Sequence, residues 1–480
     1  MLEVESLRVD VSRVGRVLDD ATMSVGPGVT VVTGRSGCGS TTLLRRIAGF
    51  RDRQVLRRRG VIRLSGKRID TMSRAELRPQ VTVVGHRPKG RGHGSVTSRE
   101  VIEGLGLQDW CHTPPARMPA CVAARMALAE GLDSTAPVLL LDQPLVPMTS
   151  AWRSRAAVCI ARAAHAGRII LWAEHALEYA LGAADIVVEI VDGHTRQVAA
   201  SSWSSTNLPR TPLQEVAARS GEGFFTSPEQ AHDRLATAVT AVPSPQPQQS
   251  EGPVIARVDP ASLRLSGGLI DVRAGQVLGV MACEPVQAHR VARRLATTVC
   301  PRGIDDRLLH ALLRQTSVRR ACDIVDRRAD IPIETSMKLV DEVLGPVGAR
   351  RGNEHGEGQQ RLLADVLACA GGEVVLWVDP GWAVDAASGD HLVQAVRRRG
   401  ASVIMACRDV DLVARWCDRV LVVDEHEVVA DGRPSSVVDN LPYPPQIAQV
   451  FPGCHVVKTA DVTLIPGVGA KEGRAHAQLV

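Results

Sequence analysis

Residues 28–42, Gly28-Val-Thr-Val-Val-Thr33-Gly34-Arg-Ser-Gly37-Cys38-Gly39-Ser40-Thr41-Thr42, decide the fold. The run from Gly28 to Gly34 is short and β-rich, as a strand is, and the pattern from Thr41 to Ile47 is helical. Between them lies the spacing G-x-x-x-x-G-K-[ST], with Ser40 standing where that motif has lysine. Glycines let successive backbone N–H groups curl into an anion-holding nest, and a helix starting near Ser40 aims its positive dipole end at the same point. Strand, glycine turn and helix in this order predict a phosphate-binding loop, with the Thr41 hydroxyl offered to a divalent cation. Without the lysine, charge-assisted hydrogen bonds worth about 1.5–3 kcal/mol each are missing. Affinity should then fall by about one to two decades while the nest remains.

Working outward, the same signals occur twice. Residues 138–142 and 374–379 read as buried strands that end in a carboxylate, followed by the paired stretches 168–175 and 402–409. His175 lies ten residues before Asp185 and Arg408 ten before Asp418, which fixes the register between the halves. Residues 275–281 repeat the first strand, and a helical pattern runs through Val291 to Leu295. The connecting stretch 282–290 has no glycine and no lysine but carries Glu284 and Pro285, so it is expected to hold no triphosphate. His289 and Arg290 read as a solvated helix start, with contact to an anion as the alternative. The chain is a duplication.

A length of 480 residues suits several domains with real cores. Hydrophobic residues at 45% and charged residues at 23% exclude wholesale disorder, and no apolar run approaches the 18 or so residues of a membrane span. The acidic start Met1-Leu-Glu-Val-Glu5 resembles no secretory leader, so a cytosolic protein is expected. Eleven cysteines without a C-x-x-C pair read as reduced thiols, and Cys38 as a small filler of its loop. Of the 57 basic residues 52 are arginine, yet the net charge is only +5 and aromatics are 3%, so no nucleic-acid partner is expected. Residues 242–253 are rich in proline and glutamine and read as a semi-extended linker. The resulting division is a first domain at 1–205, a linker at 206–253, a second domain at 254–465 and a disordered tail at 466–480.

Strands alternating with helical stretches predict an α/β architecture with a mostly parallel sheet in each half. With the phosphate loop and the repeated strands in place, nearly the whole chain resembles the ATP-binding cassette (ABC) transporter ATPases, as two fused nucleotide-binding domains. The resemblance implies two tandem P-loop NTPase domains, each a mostly parallel sheet with helices plus a helical subdomain, and implies ATP and Mg²⁺ as cofactors. It assigns Gly34, Gly37, Gly39, Ser40, Thr41 and Thr42 to the phosphate loop and Thr41 and Asp142 to Mg²⁺. It places Gln143 where the family has its catalytic glutamate, His175 at the switch histidine and His86 at the Q-loop glutamine. Residues 118–122 stand where the signature L-S-G-G-Q is expected and do not match it. In the second half Asp379 reads as the retained Mg²⁺ aspartate, with the glutamate deleted before Pro380 and the histidine replaced by Arg408. His355, Gly356, Glu357, Gly358 and Gln359 resemble the signature loop, and Asp385 the D-loop.

Domains of this family pair head to tail, each site joining one domain's phosphate loop to the other's signature and D-loop. The resemblance therefore implies an intramolecular pairing with one residual nucleotide site, built from the first half's loop, Asp142 and His175 with the second half's His355–Gln359 and Asp385, and one dead site. Gln143 can orient a water but cannot take its proton, and a general base contributes about 10²- to 10⁴-fold. Slow or absent hydrolysis is expected. Residues 211–219 with 227–234, and 442–451, resemble segments of energy-coupling-factor ATPases. That resemblance implies membrane-embedded transporter subunits as partners and a place on the inner face of the cell membrane. The rival readings are a fused peptide-importer ATPase and a non-catalytic pseudo-ATPase that serves assembly or regulation.

Overall fold

The computed structural model describes the chain except residues 13–14, 51–54, 86–95, 237–238, 244–251, 301–305, 349, 353–354, 356, 380–383 and 467–480. His86, Gly356 and nearly all of the expected tail lie outside the described residues. The chain divides into two units. The first gathers Met1–Pro209 with Glu354–Arg361 and Trp382–Ser388; the second holds Arg210–Asn353, Leu362–Gly381 and Gly389–Val480.

Continuous apolar runs make strands that are buried on both faces, and helices must then cover both sides. The first unit follows this rule. Its six-stranded sheet has the order His194–Ala199, Ile186–Val191, Gly28–Thr33, Ile169–Ala173, Val138–Asp142, Val81–Val84, all parallel except the first. One face, with Val32, Leu140, Leu171 and Val188, closes a core with Leu43, Leu44 and Ile47 of the helix Ser40–Ile47. The same core takes Leu2, Val4 and Leu7 from a four-stranded antiparallel sheet built on Leu2–Val11, Gly15–Val25, Val55–Leu64 and Lys67–Arg68. The helices Ala120–Leu132 and Ser150–His165 complete the unit.

The second unit repeats the plan. Its sheet runs Glu427–Gly432, Arg419–Asp424, Val277–Ala282, Ser402–Ala406, Val374–Val378, again parallel but for the first strand. The helices Asp306–Gln315, Val318–Ala329 and Thr335–Leu344 stand between the helix Pro285–Val299 and the helix Glu357–Ala370. The aspartates used for the register prove equivalent in detail. Asp185 Oδ2 accepts the Val29 N–H at 2.8 Å and Asp418 Oδ2 accepts the Val277 N–H at 2.9 Å, each pinning the start of the central strand. Among the described residues no helix is long and apolar enough to cross a membrane.

The stretch after Pro209 is more ordered than a linker composition suggests. Thr211 and Gln214 form a capping box that starts the helix Pro212–Ser220, and the Ser227 hydroxyl caps the helix Pro228–Leu235. Leu213, Val216, Ala231 and Leu235 bury against Ile447, Val450, Phe451 and Val462. Residues Val239–Pro243 then pair antiparallel with Val462–Pro466, so Val242 and Pro243, which open the Pro/Gln-rich stretch, belong to a strand.

Candidate nucleotide site

The phosphate loop takes the shape its glycines permit. Gly34, Gly37 and Gly39 have φ of 153°, 89° and 104°, and Gly39 is the N-cap of the helix Ser40–Ile47. A Cβ on Gly39 would lie 2.9 Å from Val17 Cγ1, and one on Gly34 would lie 2.5 Å from the Ile190 carbonyl. No side chain caps this helix start and no acid sits in its first turn, so its N–H groups and dipole face the loop undiminished. Ser40 is buried. Desolvation pushes the Cys38 thiol up despite opposing hydrogen bonds from Ser40, so this cysteine is inert.

Thr41, on the first turn, donates its hydroxyl to Asp142 Oδ1 at 2.9 Å, bringing together the two groups expected to hold Mg²⁺. Gln143 follows in left-handed backbone, φ 51°, with its N–H bonded to the Ala173 carbonyl at 2.9 Å. His175 leaves the neighbouring strand beyond Glu174. The Glu174 carboxylate is buried and accepts from Trp172 Nε1 at 3.3 Å, the His175 N–H at 2.9 Å and the Ala176 N–H at 3.3 Å. It thereby fixes the backbone that carries the histidine. His175 Nδ1 is buried with no hydrogen-bond partner among the described residues.

Two second-half segments belong to this same unit. Asp385 Oδ2 accepts the Ser36 N–H at 2.7 Å, and the Ser36 hydroxyl accepts the Asp385 N–H at 2.9 Å. Burial works to raise the Asp385 carboxyl, but His175, the Ser36 N–H and the bonds from Ser388 hold it below the usual carboxylate range. Gln359 lies over the loop, its Nε2 only 2.5 Å from where a Cβ on Gly37 would stand. His355 is buried, with Nδ1 3.4 Å from Gln359 Oε1, and Gln360 Nε2 donates to the His355 carbonyl at 2.7 Å. Glu357 and Gly358 open the helix Glu357–Ala370. Thr42 lies on the loop's own helix.

The second unit's counterpart corrects the reading of Asp379. Asp142 pairs with Ala173, whereas Val378 pairs with Ala406. The residue after each strand is Gln143 in one unit and Asp379 in the other. Both have φ near 50°, at 51° and 47°, and the Asp379 N–H bonds to the Ala406 carbonyl at 2.7 Å just as Gln143 bonds to Ala173. Nothing is deleted. Val378 occupies the metal-ligand position and Asp379 the position of Gln143. Arg408, the counterpart of His175, grips Asp379 with Nε–Oδ1 at 3.0 Å and a second contact from Nη2 to Oδ2. His289 Nε2 reaches Oδ2 at 3.0 Å, so this residue is a partner of Asp379 and not a solvated helix start. Burial alone would raise Asp379, but Arg408 and His289 hold it well below the usual carboxylate range. The helix here starts at Pro285, three residues past Ala282, leaving no glycine loop.

The donor set of the first unit suits ATP with Mg²⁺. A hydroxyl and a carboxylate are hard oxygen ligands of the kind that hold Mg²⁺ together with substrate phosphates, and the bare helix start suits the phosphates themselves. The orphaned His175 Nδ1 asks for a polar partner on the same side. Sequence reasoning missed Ser36 and Glu174. Glu174 carried a signal, an acid directly before the histidine at the end of a buried strand; Ser36 carried none.

Known proteins bear on this geometry. The family profile described as ABC transporter matches residues 18–146. The aliphatic sulfonates import ATP-binding protein of Burkholderia pseudomallei is 31% identical over 254 residues, covering 51% of this chain and 74% of that protein. A provisionally named ABC transporter ATP-binding protein of Streptomyces coelicolor is 25% identical over 88% of this chain and 92% of its own length. Among solved structures, RNase-L Inhibitor matches with a TM-score of 0.55 at 14% identity, covering 99% of this chain and 98% of that one, which speaks to the fold. Through its phosphate loop, its duplicated sheet and these relatives, the chain belongs to the ABC ATPase family as a member with two cassette domains.

Proposed function

We propose that the chain is the ATP-binding subunit of an ABC importer of the energy-coupling-factor type, with one residual nucleotide site and slow or absent hydrolysis. The observation that carries the reading is the reciprocal Ser36–Asp385 pair of hydrogen bonds, with Gln359 laid over Gly37. A triphosphate held by Gly34–Thr42 would then also meet the residues around His355–Gln359, the only legible signature in the chain.

In this reading the loop N–H groups and the Thr41 hydroxyl position the phosphates, Thr41 and Asp142 hold Mg²⁺, and Glu174 aims the backbone of His175 toward the terminal phosphate. Mg²⁺, when bound, neutralises charge that builds on the phosphate oxygens. Gln143 orients a water without taking its proton, and Ser40 supplies no cation, so binding survives better than turnover. The name of the sulfonate relative supports an importer. The energy-coupling-factor assignment draws on stretches 211–219, 227–234 and 442–451, whose apolar residues pack into one cluster. Its partners are membrane-embedded subunits, which would place the chain on the inner face of the membrane. The Asp379–Arg408 ion pair favours, as second reading, a pseudo-ATPase kept for assembly.

Calorimetric titration of the full chain with ATP, with and without Mg²⁺, tests the site. Gly39→Asp and Gly358→Asp should each abolish binding while leaving the melting profile of the rest of the chain in place. A Gly358→Asp protein that binds ATP like wild type removes the second-half residues from the site. A steady-state ATPase rate equal to that of ordinary transporter ATPases contradicts the turnover claim. Co-purification with co-encoded multispanning proteins separates the transporter reading from the assembly reading.

A further inference from the structure

We propose that a groove on the second unit's helix Pro285–Val299 binds anions carrying phosphate groups. The groove measures about 540 Å³ and gathers Arg264, Arg290, Arg293 and Arg294 with Thr297 and Thr298, and no acidic residue lines it. Positions 290, 293, 294, 297 and 298 follow the i, i+3, i+4, i+7, i+8 spacing that places side chains on one helix face. Arg264 joins them from a separate turn, held in left-handed backbone at φ 63°.

Elsewhere in this unit several arginines are neutralised by acids. Arg397, Arg415 and Arg419 pair with Asp418, Asp390 and Asp431. Arg264 and Arg290, by contrast, make no ion pair among the described residues, and Arg294 Nη1 donates to the Leu263 carbonyl at 3.0 Å. Like charges on adjacent helix turns repel, so the bare groove is disfavoured and a bridging anion relieves it. Guanidinium forks match phosphate oxygens in number and plane. The hydroxyls of Thr297 and Thr298 are spent on the Arg293 and Arg294 carbonyls at 2.7 and 2.9 Å, which leaves recognition to the arginines.

The groove shares no residue with the nucleotide loop, so the inference stands whether or not that loop binds ATP. The phosphate groups come either from a soluble polyphosphorylated compound or from phospholipid headgroups, and two probes separate the sources. Full-length protein is titrated with inorganic tripolyphosphate, and is sedimented with vesicles of phosphatidylcholine alone or mixed equally with phosphatidylglycerol. Each arginine facing an anionic layer strengthens binding about fivefold, so Arg264→Gln with Arg290→Gln should weaken it about 25-fold. The matched pair Arg264→Lys with Arg290→Lys keeps the charge but loses the forks and should weaken binding less than the Gln pair does, and added salt should weaken all forms. A Gln-pair effect on tripolyphosphate alone identifies a soluble ligand; an effect on the phosphatidylglycerol vesicles identifies headgroups. The proposal is overturned if the Gln pair changes neither, or if it weakens capture of duplex DNA while leaving both phosphate probes untouched.

Discussion

Replacing Arg408 with alanine asks whether the second unit's lost site now serves as a structural ion pair. Both side chains are under a tenth exposed, at 9% for Arg408 and 8% for Asp379, and the guanidinium meets both carboxylate oxygens. Removing one partner of such a pair strands a buried charge and costs about 3–5 kcal/mol. His289 remains on Oδ2, which favours the lower end of that range. For a unit of this size each kcal/mol moves the melting temperature by about 2–4 °C, so Arg408→Ala should lower the second unit's transition by about 6–20 °C. Differential scanning calorimetry of the full chain is the assay, since it can resolve the transitions of two units. The double change Arg408→Met with Asp379→Leu should recover most of the loss, because an apolar pair leaves no charge behind. The pH dependence has a definite sign. A carboxylate held below its ordinary value contributes stability that is present above about pH 4 and is lost as pH falls toward its folded-state value. The gap between wild type and Arg408→Ala should therefore narrow on acidification from pH 7 to pH 3, as the unfolded chain takes up its proton and the carboxylate stranded in the variant is neutralised. A variant melting within about 2 °C of wild type at pH 7 would refute the reasoning.

Three further outcomes are expected. Ser40→Lys should tighten ATP binding about 10- to 100-fold by restoring charge-assisted hydrogen bonds, read by calorimetric titration; an unchanged Kd would mean that the nest does not hold the triphosphate. In that background Gln143→Glu should raise single-turnover hydrolysis by about 10²- to 10⁴-fold, and no gain would show that Gln143 is not beside the attacking water. Gly37→Ala should cost about 1–2 kcal/mol in urea denaturation, because φ is 89° and the new Cβ would meet Gln359 Nε2 at 2.5 Å. Adding Gln359→Ala should return only the part due to the collision, leaving the backbone strain.

The strands were legible because buried parallel strands must be apolar throughout, and the duplication was legible because Asp185 and Asp418 each tie off the central strand through the same N–H bond. The error at Asp379 has the opposite origin. Matching an aspartate to an aspartate follows residue identity, whereas ladder position is set by strand register, which puts Val378 opposite Ala406. An ungapped comparison of Val-Leu-Leu-Leu-Asp142-Gln-Pro with Val-Val-Leu-Trp-Val378-Asp-Pro carries that answer. Arg408 read as the loss of a histidine because a sequence does not display the carboxylate that will face it. Ser36 escaped for a similar reason, its partner Asp385 lying far along the chain. The helices after Thr211 fell inside a stretch read as linker, although Thr211 and Ser227 prove to be their caps, and the cluster they form with Ile447, Val450 and Phe451 depends on tertiary packing alone.

The short pairing of Val239–Pro243 with Val462–Pro466, reinforced by Arg219 reaching the Thr459 and Val462 carbonyls, fastens the second unit like a belt buckle. Five residues from each side make the seam, so its backbone bonds hold and part together. Trimming the chain at residue 461 would unfasten it and strip Val462 and Leu464 from the apolar cluster beneath, so such a fragment should become sticky and protease-sensitive well before its sheet melts.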